Sequence, residues 1–147
     1  VEFLEKKDMR FDSVVTLQPT SPIRNNGLID KCVEEYYDGH YDSLVTGKKD
    51  TPFMWRKIRG QWVYDVDVND CCNRKMRQGF QEHEWIYHDD GNVYISDVRM
   101  LLETKCRLGI RTCFYETDKL QSLQIDEEID FQLIENIVNL KGMKSLI

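Results

Sequence analysis

The sequence predicts an α/β fold with a mostly parallel sheet, and three observations carry that prediction. Short β-branched runs, at Ser13–Leu17, Ser43–Thr46, Val93–Ser96 and Thr112–Glu116, read as strands. Between them lie stretches whose apolar residues recur at helical spacing: Leu28, Ile29, Cys32, Val33 and Tyr36, then Ile129, Leu133, Ile134, Ile137 and Val138. The two kinds of segment alternate along the chain with no internal repeat, which excludes a solenoid.

The elements follow in order. Residues 1–11 read as the end of a helix (Phe3, Leu4) and a charged connector. The first strand runs into Gln18-Pro19-Thr20-Ser21-Pro22, where two prolines without backbone N–H groups stop any regular ladder. Asn25 or Asn26 is suited to cap the next helix, and Gly39 to end it. That helix joins the first two strands in a βαβ unit with a right-handed crossover. Phe53–Ile58 and Gln61–Tyr64 flank Arg59-Gly60 as a hairpin. Val66–Gln81 is polar and aperiodic, an expected excursion over the active-site face. A helix is predicted over Asp97–Leu108 with Val98, Leu101, Leu102 and Cys106 inward and Gly109 closing it. The last helix is predicted over Glu127–Leu140.

At 147 residues the chain has one domain's length, 41% hydrophobic and 31% charged. Its net charge of −6 argues against nucleic acid or an anionic membrane as the main partner. No apolar run reaches membrane-spanning length and Val1–Lys7 lacks a signal-peptide layout, so a cytoplasmic protein is expected. Val1, in place of a Met, points to a processed or excerpted chain. The five cysteines are odd in number and contain no C-x-x-C pair, which favours reduced thiols.

Several residues could carry chemistry. Gln18, Thr20 and Ser21 offer an amide and two hydroxyls at the carboxyl end of a strand, where open α/β sheets bind ligands. Asp126 suits a helix N-cap, with Glu127 and Glu128 favourable to the helix dipole. Asp89-Asp90-Gly91 is good turn chemistry. Arg74, Lys75, Arg77 and Lys57 read as a solvated basic cluster. His40, His83 and His88 have no ligand spacing and no paired nucleophile.

Leu17-Gln18-Pro19-Thr20-Ser21-Pro22-Ile23-Arg24 resembles the signature loop of the acylneuraminate (nonulosonic acid) cytidylyltransferases, the CMP-N-acetylneuraminate synthetase family. Three further stretches agree in order and spacing: Asp42–Val45; Arg77-Gln78 followed by Asp90–Ile95; and Ser122–Asp126 before Asp130-Phe131. The resemblance covers about residues 12–135. It implies a Rossmann-like nucleotide-diphospho-sugar transferase sheet with helices on both faces, and a single partial domain over 1–147. Residues 53–88 would be an inserted hairpin and loop excursion that serves as a dimer element.

The same resemblance implies transfer of a cytidylyl group from CTP to an acidic nine-carbon sugar, with Mg²⁺ as cofactor and a homodimer as the assembly. Asp126 and Gln124 would hold the metal, their period-two spacing placing both on one face of an extended segment. Arg77 would act with Asp126 in catalysis and, with Gln78, face the sugar and grip its carboxylate. Gln18, Thr20, Ser21, Asp90 and Tyr94 would complete the sugar site. Two positions depart from the family pattern: Gln124 stands where a second Asp is usual, and Asp90 where Asn is usual. No segment matches the family's glycine- and lysine-containing triphosphate loop, so the chain corresponds to the C-terminal two-thirds of such an enzyme. Two rival readings stand beside this one: a non-catalytic sugar- or nucleotide-binding or dimerisation remnant, and a cytidylyltransferase for another acid sugar such as a ketodeoxyoctonate.

Overall fold

The computed structural model describes residues 6–7, 10–65 and 73–141. The chain divides into two compact units, one built from residues 1–48 and 89–147 and the other from 49–88.

The first unit contains a four-stranded mixed sheet in the order β1-β5-β2-β6, with β1 at Ser13–Thr16, β2 at Ser43–Asp50, β5 at Ile86–Asp97 and β6 at Thr112–Glu116. β2 and β6 run parallel, with Leu44 opposite Cys113; β1 and β5 run antiparallel, with Thr16 opposite Tyr94. The expected mostly parallel order is thereby corrected, because β5 lies between β1 and β2. A physical reason is at hand: Val93 and Ile95 on β5 are fully buried, and a central position covers such a strand on both edges. β5 is also much longer than Val93–Ser96, since Asp90-Gly91 is a kink within the strand and not a turn that ends it.

Helix α1 (Leu28–Asp38) lays Leu28, Cys32 and Tyr36 on Leu44, Val93, Ile95 and Cys113, which form the main core. Its N-cap is Gly27 at φ 78° with no side-chain cap, so neither Asn25 nor Asn26 caps it. Asn25 is engaged elsewhere, as described below. Gly39 ends the helix as expected.

Helix α2 spans Val98–Thr104, capped by Asp97, which accepts the Met100 N–H at 2.8 Å. It stops four residues before the expected end. Lys105 turns left-handed at φ 57°, and the Thr104 hydroxyl donates to the Met100 carbonyl while accepting the Cys106 N–H. Local bonds of this kind compete with the helix ladder. Cys106 is consequently exposed, not inward.

Helix α3 (Glu128–Lys141) packs Ile134 and Val138 against Ile23, Leu120, Leu123 and Ile125. The expected stripe was wider than the surface it meets: Ile129 and Leu133 are 63% and 52% exposed. No described helix is long and apolar enough to cross a membrane.

The second unit holds a hairpin of β3 (Met54–Ile58) and β4 (Gln61–Asp65). Arg59 and Gly60 both have positive φ, as a type I′ turn requires. Trp55 packs on Tyr64 within the hairpin, and Phe53, Phe80 and Trp85 form an aromatic cluster. Two short 3₁₀ turns follow, Arg77–Gly79 and Glu82–Glu84. The start of the expected excursion, with Cys71 and Cys72, lies outside the described residues, as do Phe3 and Leu4.

Candidate active site

The site is assembled around the kink in β5. Gly91 has φ 68°, and a Cβ there would lie 2.0 Å from Gln18 Oε1 and 2.9 Å from Ser21 Oγ. Only glycine accepts both the left-handed backbone and that approach. Across the kink lies the proline loop that leaves β1. The Gln18 N–H donates to the Gly91 carbonyl at 3.2 Å, and the Ser21 hydroxyl donates to the Asp90 carbonyl at 2.6 Å. Arg24 closes the loop from the other end, with Nη2 donating to the Gln18 carbonyl at 2.9 Å and to the Asn92 carbonyl at 3.3 Å. A segment that cannot join a ladder through its prolines is thus fixed by side-chain bonds to a neighbouring strand.

Asp90 is 2% exposed. Its Oδ1 accepts the Thr46 hydroxyl at 2.7 Å and the Asn92 N–H at 3.0 Å, while Oδ2 accepts the Thr117 hydroxyl. A buried carboxylate is tolerable only when so satisfied. Arg24 adds a favourable charge; burial pulls its guanidinium pKa down, and the Asp90 charge partly restores it. Asn92, also fully buried, donates through Nδ2 to the Ile23 and Gln121 carbonyls at 3.2 and 2.7 Å.

The segment before α3 completes the arrangement. Asp118 accepts backbone N–H groups from Leu120 and Gln121 at 2.8 and 2.9 Å, and side-chain donors from Gln121 and Asn25. Burial alone would raise its carboxyl pKa, but these bonds outweigh that and hold it below the usual range. The Asn25 N–H donates to Gln121 Oε1 at 3.1 Å, and the Ile125 N–H to the Thr20 carbonyl at 2.8 Å. Leu123 and Ile125 both pack on the Ile134–Val138 core, so alternation directs Gln124 and Asp126 away from it.

The predicted residues fall into three groups. Gln18 is half-buried over Gly91, while Thr20 and Asp126 have exposed side chains and Gln124 is half-buried. Ser21, Asp90 and Tyr94, expected to face the sugar, are turned inward and bonded within the protein. Their bonds hold the proline loop, the β5 kink and Asp89 in place. The Tyr94 hydroxyl donates to Asp89 Oδ2 at 2.8 Å, and burial, reinforced by that bond, pushes its pKa up to about 12. Arg77 and Gln78 are exposed on the first 3₁₀ turn of the second unit.

Asp126 is not the helix cap. Asp130 reaches back to accept the Asp126 and Glu127 N–H groups at 3.1 and 2.9 Å, which leaves the Asp126 carboxylate with no hydrogen bond among the described residues. Asp126 and Gln124 offer one carboxylate and one amide oxygen. Among the described residues no group of three or more His, Cys, Asp or Glu side chains could hold a metal. This pair fits an ion such as Mg²⁺, which takes hard oxygen ligands and keeps most of its shell as water and phosphate.

Sequence reasoning did not single out Thr46, Thr117, Asn92 or Arg24 as partners of the kink. The signal was the Asp90-Gly91 pair in a strand context, since a carboxylate beside a strand glycine calls for donors on adjacent strands. A separate cleft of about 510 Å³ is lined by Phe11, Asp12, Asp97, Val98, Arg99 and Leu102. It lies at the end of the β1–β5 pair where Ser13 meets Asp97, away from the proline loop.

No protein-family model matches the chain. Among curated proteins it is 29% identical over 143 residues to the CMP-N,N'-diacetyllegionaminic acid synthase of Legionella pneumophila, covering 92% of this chain and 58% of that protein. It is 23% identical over 140 residues to the post-translational flagellin modification protein B of Campylobacter coli, covering 92% of this chain and 57% of that one. An N-acylneuraminate cytidylyltransferase of Escherichia coli O18:K1:H7 is 27% identical over 142 residues, 92% of this chain and 32% of that enzyme. The chain spans little more than half the length of the first two relatives. With the proline loop, the β5 kink and the Gln124–Asp126 segment joined in one unit, the chain is similar over nearly all of its length to the acylneuraminate cytidylyltransferases and related CMP-sugar synthases.

Proposed function

We propose that the chain is part of a cytidylyltransferase that joins CMP to a nonulosonic, sialic-acid-like sugar. The observation that supports this best is the convergence, within one unit, of three of the four stretches that carry the family resemblance. Gln18 and Ser21 meet the Asp90–Asn92 kink, and the Thr20 carbonyl meets Ile125 between Gln124 and Asp126. In the reaction a sugar hydroxyl oxygen bonds to the α-phosphorus of CTP, the bond from that phosphorus to pyrophosphate breaks, and the hydroxyl proton leaves to solvent. Catalysis of this type rests on positioning and charge neutralisation.

Asp126 and Gln124 would hold Mg²⁺, which supplies positive charge at the phosphates. Gln18 and Thr20 would meet the sugar directly, while Ser21, Asp90 and Tyr94 hold the frame. The family resemblance assigns Arg77 and Gln78 to the sugar, and the exposed Arg77 guanidinium is suited to bidentate contact with a carboxylate. The hairpin, whose Trp55 and Trp62 are 60% and 66% exposed, would provide a homodimer contact. The cytoplasm, where CTP is available, is the compartment this reading requires.

A second reading, a non-catalytic binding or dimerisation remnant, is favoured by one observation: Gln124 leaves Asp126 as the only carboxylate of the expected metal pair. Phosphorus NMR of the intact protein with CTP, Mg²⁺ and a panel of nonulosonic acids separates the two. A CMP-sugar phosphodiester signal supports the first. Ligand binding with no such signal across the panel supports the second.

A further inference from the structure

Asn26 is the only asparagine of the chain followed by glycine. Asn26 and Gly27 are both exposed, at the centre of the turn that leads from the proline loop into α1. The Leu28 N–H donates to the Asn25 carbonyl at 3.1 Å, and Gly27 has φ 78° and ψ 5°, which makes the turn type II. Among the described residues the Asn26 side chain, the Asn26 carbonyl and the Gly27 N–H make no hydrogen bond. A Cβ at Gly27 would meet nothing within 4 Å, and glycine accepts either sign of φ, so this peptide unit can rotate. Rotation brings the Gly27 nitrogen to the side-chain carbonyl carbon of Asn26, with no Gly27 side chain in the way.

Comparable positions are closed to that approach. At Asp38-Gly39 the Gly39 N–H is bonded to the Glu35 carbonyl at 3.1 Å. At Asp90-Gly91 the carboxylate is 2% exposed and already accepts Thr46, Thr117 and the Asn92 N–H. Asn92 is fully buried, its amide donates to the Ile23 and Gln121 carbonyls, and the following Val93 N–H is held by Thr46 Oγ1 at 2.9 Å. Asn136 and Asn139 lie within α3, whose ladder engages the N–H groups that follow them.

We propose that Asn26 is a site of slow self-modification through a succinimide formed with Gly27. The Gly27 nitrogen bonds to the side-chain carbonyl carbon of Asn26, and the bond from that carbon to the amide nitrogen breaks. The amide leaves as ammonia, taking up the Gly27 proton. Water then opens the ring at one carbonyl or the other, giving aspartate or isoaspartate. Both products carry a new negative charge. Isoaspartate also routes the main chain through the side chain, which adds a methylene between the residue 26 Cα and Gly27.

The neighbouring residue ties the turn to the candidate site. The Asn25 N–H donates to Gln121 Oε1 at 3.1 Å, and Asn25 Nδ2 to Asp118 Oδ2 at 3.4 Å. A lengthened turn strains both bonds, and a carboxylate one residue away opposes the Asp118 charge. The modification is independent of the cytidylyltransferase reading.

The test is incubation of the intact protein at neutral and mildly alkaline pH, beside a free peptide of residues 23–29. Peptide mapping by mass spectrometry locates converted amides, and an isoaspartyl methyltransferase reads isoaspartate. Asn26 is expected to convert ahead of every other asparagine, faster as pH rises, and to yield isoaspartate together with aspartate. Isoelectric focusing should show one acidic shift that is lost in Asn26→Gln, whose longer side chain cannot close the five-membered ring. An Asn26 that stays intact while the peptide converts, or that converts behind another asparagine, overturns the proposal. So does a product that is aspartate alone, or an acidic shift that persists in Asn26→Gln.

Discussion

The Thr46 hydroxyl donates to the Asp90 carboxylate at 2.7 Å, tying the end of β2 to the kink of β5. Thr46 also accepts the Val93 N–H at 2.9 Å, so one hydroxyl serves both sides of the kink. With the Thr117 hydroxyl on the second oxygen, Asp90 links β2, β5 and the segment after β6.

Asp90→Ala leaves two hydroxyls and the Asn92 N–H without their acceptor in a buried place. A loss of about 2–4 kcal/mol in unfolding free energy is expected, since each orphaned group costs about 1–3 kcal/mol before relaxation. Asp90→Asn keeps one carbonyl oxygen for Thr46 and Asn92, and Thr117 can donate to the Gly47 carbonyl, already 3.0 Å away. It should cost less than half as much. Urea denaturation of the two variants checks the order.

Gly91→Ala meets both a left-handed backbone and the Gln18 amide. Gln18 can swing aside, but Ser21 Oγ is anchored on Asp90 and cannot do so freely. A destabilisation of about 1–3 kcal/mol is expected from the strained backbone alone. Protection of the Gln18 N–H should fall with it, and hydrogen exchange reads that amide directly.

The hydrogen bonds to the Asp118 carboxylate hold its folded-state pKa below the ordinary aspartate range. A depressed carboxylate contributes stability that is present above its unfolded pKa and lost as pH falls through the folded one. The native protein should therefore lose stability more steeply than Asp118→Asn as pH drops from about 5 to 3. Thermal midpoints across that window test the sign; equal slopes would contradict it.

Much of this was legible in the residues. The hairpin followed from Arg59-Gly60, α1 from its five apolar positions, and β6 from Thr112–Glu116, because each depends on local pattern. The sheet order was not legible, since nothing local in Val93–Ser96 says that β5 lies between β1 and β2. The end of α2 was missed because the apolar spacing continues through Cys106 while the Thr104 hydroxyl draws the backbone out of the helix. The directions of Ser21 and Asp90 were equally hidden. Motif resemblance brought them to the site, but only the partners Thr46, Thr117 and Arg24 show that they face inward.

Pyrophosphate release from CTP by the native protein, Asp126→Asn and Gln124→Asp tests the central claim most directly. Release that requires a nonulosonic acid and Mg²⁺ together is predicted. Asp126→Asn should lower it by at least about tenfold, as loss of a charged ligand of the metal implies, and Gln124→Asp should reduce the Mg²⁺ concentration needed for half-maximal rate. No release with any acid, or a rate unchanged in both variants, would contradict the site described here.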